Sequence, residues 1–180
     1  IRHCYLQAEP GNRIRNIIRA YALRQLLPFY DLRTHEGWLR NLIVRLATTG
    51  EVMVNICVKY DDEPALRALS DHVLQEVPGI TTLFHTINPK RNDSIFDLEP
   101  RVYYGKEYIR EKIGDFIFKI GPKSFFQTNT YQATALYGVV RDFAKLTGSE
   151  TVYDLYCGTG SIGIFVSGKE KKVVGIELIK

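Results

Sequence analysis

The chain has 180 residues, 45% of them hydrophobic, with 24 basic and 20 acidic side chains for a formal charge of +4. That length holds one domain, or one small domain and part of another, and the apolar fraction is ordinary for a protein that buries a core. No stretch approaches the ~18 apolar residues of a membrane span, and the start Ile1-Arg2-His3-Cys4 has no signal-peptide pattern, so no membrane partner is expected. Cys4, Cys57 and Cys157 are far apart and odd in number, which excludes a disulfide framework and fits a cytoplasmic location. There is no CxxC or His-x-x-His pair to suggest zinc.

The charge is unevenly spread. Residues 1–45 carry eight arginines against three acids, a net of +5; the remainder carries 16 basic residues against 17 acids, a net of −1. All the excess is arginine, which suits bidentate phosphate contact and base stacking, so nucleic acid is a reasonable partner.

In chain order, RIRNIIRAYALRQL (13–26) places Ile14, Ile17, Ile18 and Tyr21 at helical spacing, with Arg15 and Arg19 on one flank of the stripe and Arg13 and Arg24 on the other. These arginines either snorkel around a buried stripe or offer one flank to RNA phosphates. Pro28 stops the helix. WLRNLIVRLA (38–47), a Thr49-Gly50 turn and EVMVNICVK (51–59) predict an antiparallel hairpin, with Cys57 as core. A helix over 64–76 opens at Pro64 and presents Leu66, Leu69, Val73 and Val77; ITTLFHTI (80–87) is a strand ended by Asn88-Pro89. Residues 88–114 are polar and turn-rich, with RVYYG a short strand candidate, and DFIFKIG (115–121) is another strand. The spacing predicts a helix over 129–146, with Asn129 and Gln132 as a capping box, Leu136, Val139, Val140 and Phe143 as its apolar stripe, and Gly148 as its C-terminal cap. Phe125 and Phe126 just before it read as core. A strand (151–156), a glycine turn, a helix starting over 161–168 and a strand (172–177) complete a β-α-β unit, the opening of a doubly wound sheet.

Gly158, Gly160 and Gly163 spell G-x-G-x-x-G, and Glu177 falls 19 residues after the first of them, at the end of the second strand. Glycines let the backbone approach a ligand, and a carboxylate at that position accepts hydrogen bonds from ribose hydroxyls. The pattern alone suits NAD as well as S-adenosylmethionine. Asp154 favours the methyl donor, because a carboxylate on the first strand repels a pyrophosphate but welcomes an ammonium or a sulfonium. Tyr156 at the strand tip could pack on a base or sugar.

GPKSFFQTNTYQATALY followed by DLYCGTGSIGIF and VVGIE resembles the RNA (uracil-5-)-methyltransferase family (the RumA and TrmA type), with two separate motifs in the family's order over at least residues 119–180. The resemblance implies an α+β central domain over 1–124 with a possible RNA-contacting region. It then implies the first β-α-β unit of a Rossmann-like, S-adenosylmethionine-dependent α/β methyltransferase domain over 125–180, truncated. It implies cofactor contacts from Gln127, Tyr156, Gly158, Gly160, Ser161 and Glu177. Ser161 stands where some members have asparagine, and Gln127 could alternatively help cap the following helix. Members with an iron–sulfur cluster place a cysteine in a context like that of Cys4, so a 4Fe-4S cluster in a longer protein is one reading and a free thiol the other; four thiolates are needed, and this chain supplies no metal site by itself.

The implied reaction is methylation of uracil C5 in RNA, of the 23S ribosomal type, through a covalent cysteine–uracil adduct, with the target base taken out of its stack. No catalytic residue is assigned: Cys157 sits in the cofactor turn, and the family's nucleophile and general base come from later strands, beyond Lys180. The expectation is therefore a piece of a longer enzyme, both natural ends missing and inactive alone. A non-catalytic RNA-binding module and a fragment of an NAD-dependent enzyme are the competing readings.

Overall fold

A computed structural model describes residues 2–167 and 172–178. The chain divides into two units, residues 1–109 and 110–180, each considered by itself.

The first unit opens with α1 (Glu9–Arg24), which starts four residues before the predicted position because Pro10 is accommodated in its first turn. Glu9 near its start and Arg24 in its last turn complement the helix dipole. Ile14, Ile18 and Ala22, four residues apart, are its buried stripe, with Ile17 and Tyr21 half-buried beside it. The expected hairpin is present: β1 (Leu39–Leu46) pairs antiparallel with β2 (Val52–Val58), and Gly50 turns the chain at a φ of 85°. A bulge between Leu39 and Asn41 interrupts the register.

Helix α2 (Glu63–Glu76) begins where the Asp62 carboxylate accepts the Ala65 N–H at 3.1 Å. It carries the chain over to β3 (Thr82–Ile87), which lies parallel to β2, and β4 (Arg101–Gly105) closes the sheet antiparallel to β3. The sheet order is β1-β2-β3-β4. Ile14 and Ile18 of α1 and Leu66, Leu69 and Val73 of α2 join Val54, Ile56, Val58 and Leu83 of the sheet in one core. Cys57 is fully buried on β2, as its apolar neighbours suggested, and burial pushes its thiol up to about 11.

The second unit holds a two-stranded sheet of β5 (Ile109–Ile113) and β6 (Phe116–Ile120), then α3 (Thr130–Ala144), β7 (Thr151–Leu155), α4 (Ser161–Ser167) and β8 (Lys172–Ile176). The predicted end of α4 at residue 168 lies outside the described residues. Asn129 caps α3 by accepting the Gln132 N–H at 3.0 Å, so the capping role falls to Asn129 and not to Gln127. Three expectations around α3 need correction. Its buried face is Thr130, Ala133 and Tyr137, whereas Leu136, Val139, Val140 and Phe143 are exposed, Phe143 at 82%. The reason is that α3 packs on α4 through Tyr137, whose ring lies 5.7 Å from that of Phe165. The helix ends on Lys145 in the left-handed region (φ 49°), three residues before Gly148. Phe125 is exposed rather than core, while Phe126 does pack, at 5.8 Å from Phe118.

Candidate cofactor turn

The β7-α4-β8 unit is built as its sequence predicts, with β7 and β8 parallel and in register from Thr151–Lys172 to Leu155–Ile176. Val152 and Asp154 are half-buried on β7, with Thr151, Tyr153 and Leu155 exposed between them. One oxygen of the Asp154 carboxylate is already engaged within the unit. Its Oδ2 accepts the Gly163 N–H at 2.9 Å and so holds one of the unpaired donors in the first turn of α4. A Cβ on Gly163 would lie 2.8 Å from that same oxygen, so only glycine lets helix and strand approach this closely.

After β7 the backbone enters the left-handed region at Tyr156 (φ 60°), Gly158 (53°) and Gly160 (71°). Tyr156 takes this conformation despite its side chain, at a cost of order 1 kcal/mol, and its ring is almost fully exposed at the tip. The turn is tied by Cys157 N–H to Ile176 O (3.1 Å), Gly160 N–H to Cys157 O (2.7 Å) and Ile164 N–H to Gly160 O (3.0 Å). Gly175 on β8 makes room for the half-buried Cys157: a Cβ there would sit 2.9 Å from its Sγ.

The two ends of the predicted motif meet. Glu177 Oε2 accepts the Gly158 N–H at 2.8 Å, and its Oε1 accepts the Leu178 N–H at 2.8 Å. Gly158 has no atom within 4 Å of where a Cβ would stand, so the glycine backbone there is open to an incoming group. Ser161 starts α4 with its hydroxyl 3.2 Å from the Tyr137 hydroxyl. Five of the six predicted cofactor residues thus lie in one β-α-β unit. Gln127 lies in the exposed loop before α3, and no hydrogen bond among the described residues joins it to the turn. Tyr137 and Gly175 were not anticipated; the signals were a tyrosine one turn beyond Ala133 on α3 and a glycine inside a β-branched strand.

Among the described residues no group of three or more His, Cys, Asp or Glu side chains could hold a metal ion. Cys4 stands alone, its backbone N–H given to Asn12 Oδ1 (2.8 Å) and its carbonyl taken by Asn12 Nδ2 (3.0 Å). A four-thiolate cluster does not fit these residues. No described helix is long and apolar enough to cross a membrane.

On α1 the two arginine flanks differ. Arg13 donates to Glu76 O at 2.6 Å, and Arg24 lies 5.5 Å from the Tyr21 ring centre, so this flank is engaged within the unit. On the other flank Arg15 is half-buried and donates to Asn12 Oδ1 at 3.2 Å, and Arg19 is exposed. Both line a cleft of about 170 Å³ against Phe29 and β1.

No protein-family model matches the chain. It is 48% identical, over 99% of its length, to a Porphyromonas gingivalis protein named an uncharacterized RNA methyltransferase, of which it covers 39%. It is 46% identical, again over 99%, to a Bacteroides thetaiotaomicron protein of the same name, of which it covers 40%. The chain therefore spans about two fifths of the length of these curated relatives. Among solved structures it is similar to the Pyrococcus abyssi tRNA (uracil-54, C5)-methyltransferase in complex with S-adenosyl-L-homocysteine, at 26% identity and a TM-score of 0.77, covering 98% of this chain and 42% of that one. A complex of aTrm5 with tRNALeu shares the fold at 13% identity and a TM-score of 0.53, covering 92% of this chain and 45% of that one. The α/β fold seen here is thus one that methyltransferases use.

Proposed function

We propose that this chain is part of an S-adenosylmethionine-dependent RNA methyltransferase that acts on uracil C5. The observation that carries the reading is the Gly158–Glu177 hydrogen bond, which sets a carboxylate beside an open glycine backbone at the carboxyl end of two parallel strands. That is where open α/β sheets bind nucleoside cofactors. The names of the relatives agree with it, and so does the ligand of the Pyrococcus abyssi structure.

The residues fit the cofactor. Glu177 would take the ribose hydroxyls, Gly158 and Gly160 would let the backbone approach, and Tyr156 would pack on the base or sugar, with Ser161 and Gln127 as further contacts. When bound, S-adenosylmethionine supplies an electrophilic methyl group. Cys57 is buried with its thiol pushed up, and Cys157 is packed against β8, so neither is offered as the nucleophile. In this reading the nucleophilic cysteine that adds to uracil, and the base that removes the C5 proton, belong to residues beyond Lys180. Residues 1–124 would form a central domain that contacts RNA, and 125–180 the opening of the cofactor domain, in a cytoplasmic enzyme. The RNA is taken to be ribosomal, of the 23S type. Transfer RNA is the second reading, because the similar Pyrococcus abyssi enzyme is named for it.

The test is calorimetric titration of the chain with S-adenosylhomocysteine, compared with Glu177→Ala, together with release of tritium from [5-³H]uridine-labelled 23S and transfer RNA by the full-length protein. Binding that Glu177→Ala weakens tenfold or more, and tritium release by the full-length protein but not by residues 1–180, is the expected result. Tight NADH binding with no response to S-adenosylhomocysteine would overturn the cofactor assignment.

A further inference from the structure

The cleft beside α1 combines positive charge with an exposed aromatic ring. It is lined by Arg15, Ile18 and Arg19 of α1, by Phe29, by Leu39, Arg40, Asn41 and Leu42 of β1, and by Ile56 of β2. Most of its wall is apolar.

The size limits what enters. About 170 Å³ falls well below the ~300–1,000 Å³ of pockets that enclose a whole cofactor or drug-sized ligand. It suits one planar ring, with the rest of the molecule left outside. Outside means across Arg15 and Arg19. Arg19 is exposed and makes no ion pair among the described residues, and the first 45 residues carry a net charge of +5. Phe29, 48% exposed, offers a ring face of the kind on which unstacked bases settle.

We infer that this cleft is a binding site for one unpaired nucleotide of single-stranded RNA, its base against Phe29 and its phosphates on Arg15 and Arg19. The inference deepens the reading of the chain as part of an RNA methyltransferase. It names a nucleotide site in the first unit, apart from the cofactor turn, that would hold a neighbour of the target and not the target itself.

The test is fluorescence anisotropy of the whole 180-residue chain with a labelled single-stranded RNA 12-mer. It is paired with photocrosslinking of a 4-thiouridine-substituted RNA mapped by mass spectrometry. Arg19→Glu should weaken binding about tenfold and Phe29→Ala about fivefold, while Arg24→Glu on the opposite flank changes it less than twofold. The crosslink should fall on the peptide between Arg24 and Arg33, which contains Phe29, and should be lost in Arg19→Glu. Thermal melting of each variant guards against loss of folding. Equal losses from Arg19→Glu and Arg24→Glu would overturn the site in favour of diffuse attraction. Duplex RNA bound as tightly and indifferent to Phe29→Ala, or an acidic peptide that occupies the cleft while RNA does not, would overturn it as well. Methylation and S-adenosylhomocysteine binding by a full-length protein with unchanged RNA affinity in Arg19→Glu and Phe29→Ala would sink the cleft and leave the enzyme reading standing. RNA held at Phe29 without any methyl transfer would do the reverse.

Discussion

Lowering the pH from 7 to 5 should destabilise the first unit through one side chain, His85. Its imidazole is buried on β3, with Nε2 at 2.7 Å from Ser70 Oγ of α2 and its ring stacked 4.8 Å from that of Tyr103 on β4. Burial, and secondarily the positive charge of Arg101, push its pKa from 6.5 down to about 4, with Asp61 opposing weakly. The fold therefore favours the neutral ring. Above pH 6.5 both folded and unfolded chains keep it neutral. As pH falls the unfolded chain takes up the proton first, so stability is lost from about 6.5 downward until the folded ring also titrates near 4. The full difference is worth at most about 3 kcal/mol, and roughly 2 kcal/mol of it is gone by pH 5. That is a large share of a typical ~5–15 kcal/mol stability. Urea unfolding followed by the fluorescence of Trp38, buried in the same core, should show the midpoint falling between pH 7 and 5. His85→Gln, although less stable at pH 7, should show a much smaller fall. An equal fall in both proteins, or a folded-state His85 that titrates near 6.5 by NMR, would refute the argument.

Two further outcomes follow from close contacts. Gly163→Ala places a methyl 2.8 Å from Asp154 Oδ2, so α4 must shift away from β7; we expect a loss of roughly 1–3 kcal/mol and faster exchange of the substituted residue's amide hydrogen, read by mass spectrometry. Arg40→Lys removes a planar fork whose side chain is fully buried, lies 4.0 Å from the Tyr30 ring centre, and binds Asn88 O at 2.9 Å and Asp93 Oδ1 at 3.0 Å. A lysine cannot reproduce that geometry, so about 2–3 kcal/mol should be lost, with proteolysis first appearing in residues 88–93.

Much of this architecture is legible in the residues because local periodicity and burial agree. The α1 stripe, the β1-β2 hairpin and the β-α-β unit each follow a single pattern that tertiary contacts do not override. The parallel step from β2 through α2 to β3 is less visible, since strand direction depends on a crossover that no residue type marks. The α3 stripe misleads for a related reason. Periodicity finds an apolar face but not the neighbour that covers it, and here the covered face is the one with Tyr137. Within the candidate site, the glycines and Glu177 are readable because their spacing is geometric. The contact of Asp154 is not, because a carboxylate on that strand can face a ligand or the helix that follows, and no residue type marks that one of its oxygens takes the Gly163 N–H.

The two units also differ in how completely they satisfy themselves. In the first, two helices cover one face of a four-stranded sheet, and the residues on the opposite face of β2, Met53, Asn55 and Cys57, are buried as well. In the second, two parallel strands carry Tyr153 and Leu155 on β7 and Ile176 on β8 at 50% exposure or more, beside a helix whose Phe143 is at 82%. Parallel strands are normally covered on both faces, because their crossovers place helices there. A parallel pair with one short crossover helix has the side chains of a sheet interior without the layers that would bury them. That same surface leads to the Gly158–Glu177 turn. The turn's backbone is already set by positive φ angles and by hydrogen bonds within β7, α4 and β8. The loop geometry that would receive a nucleoside therefore rests on local contacts, whereas enclosing that nucleoside asks for apolar walls beside β7 and β8. Under the proposed cofactor reading, affinity at the turn should accordingly depend on apolar layers over Leu155 and Ile176 more than the turn's geometry does.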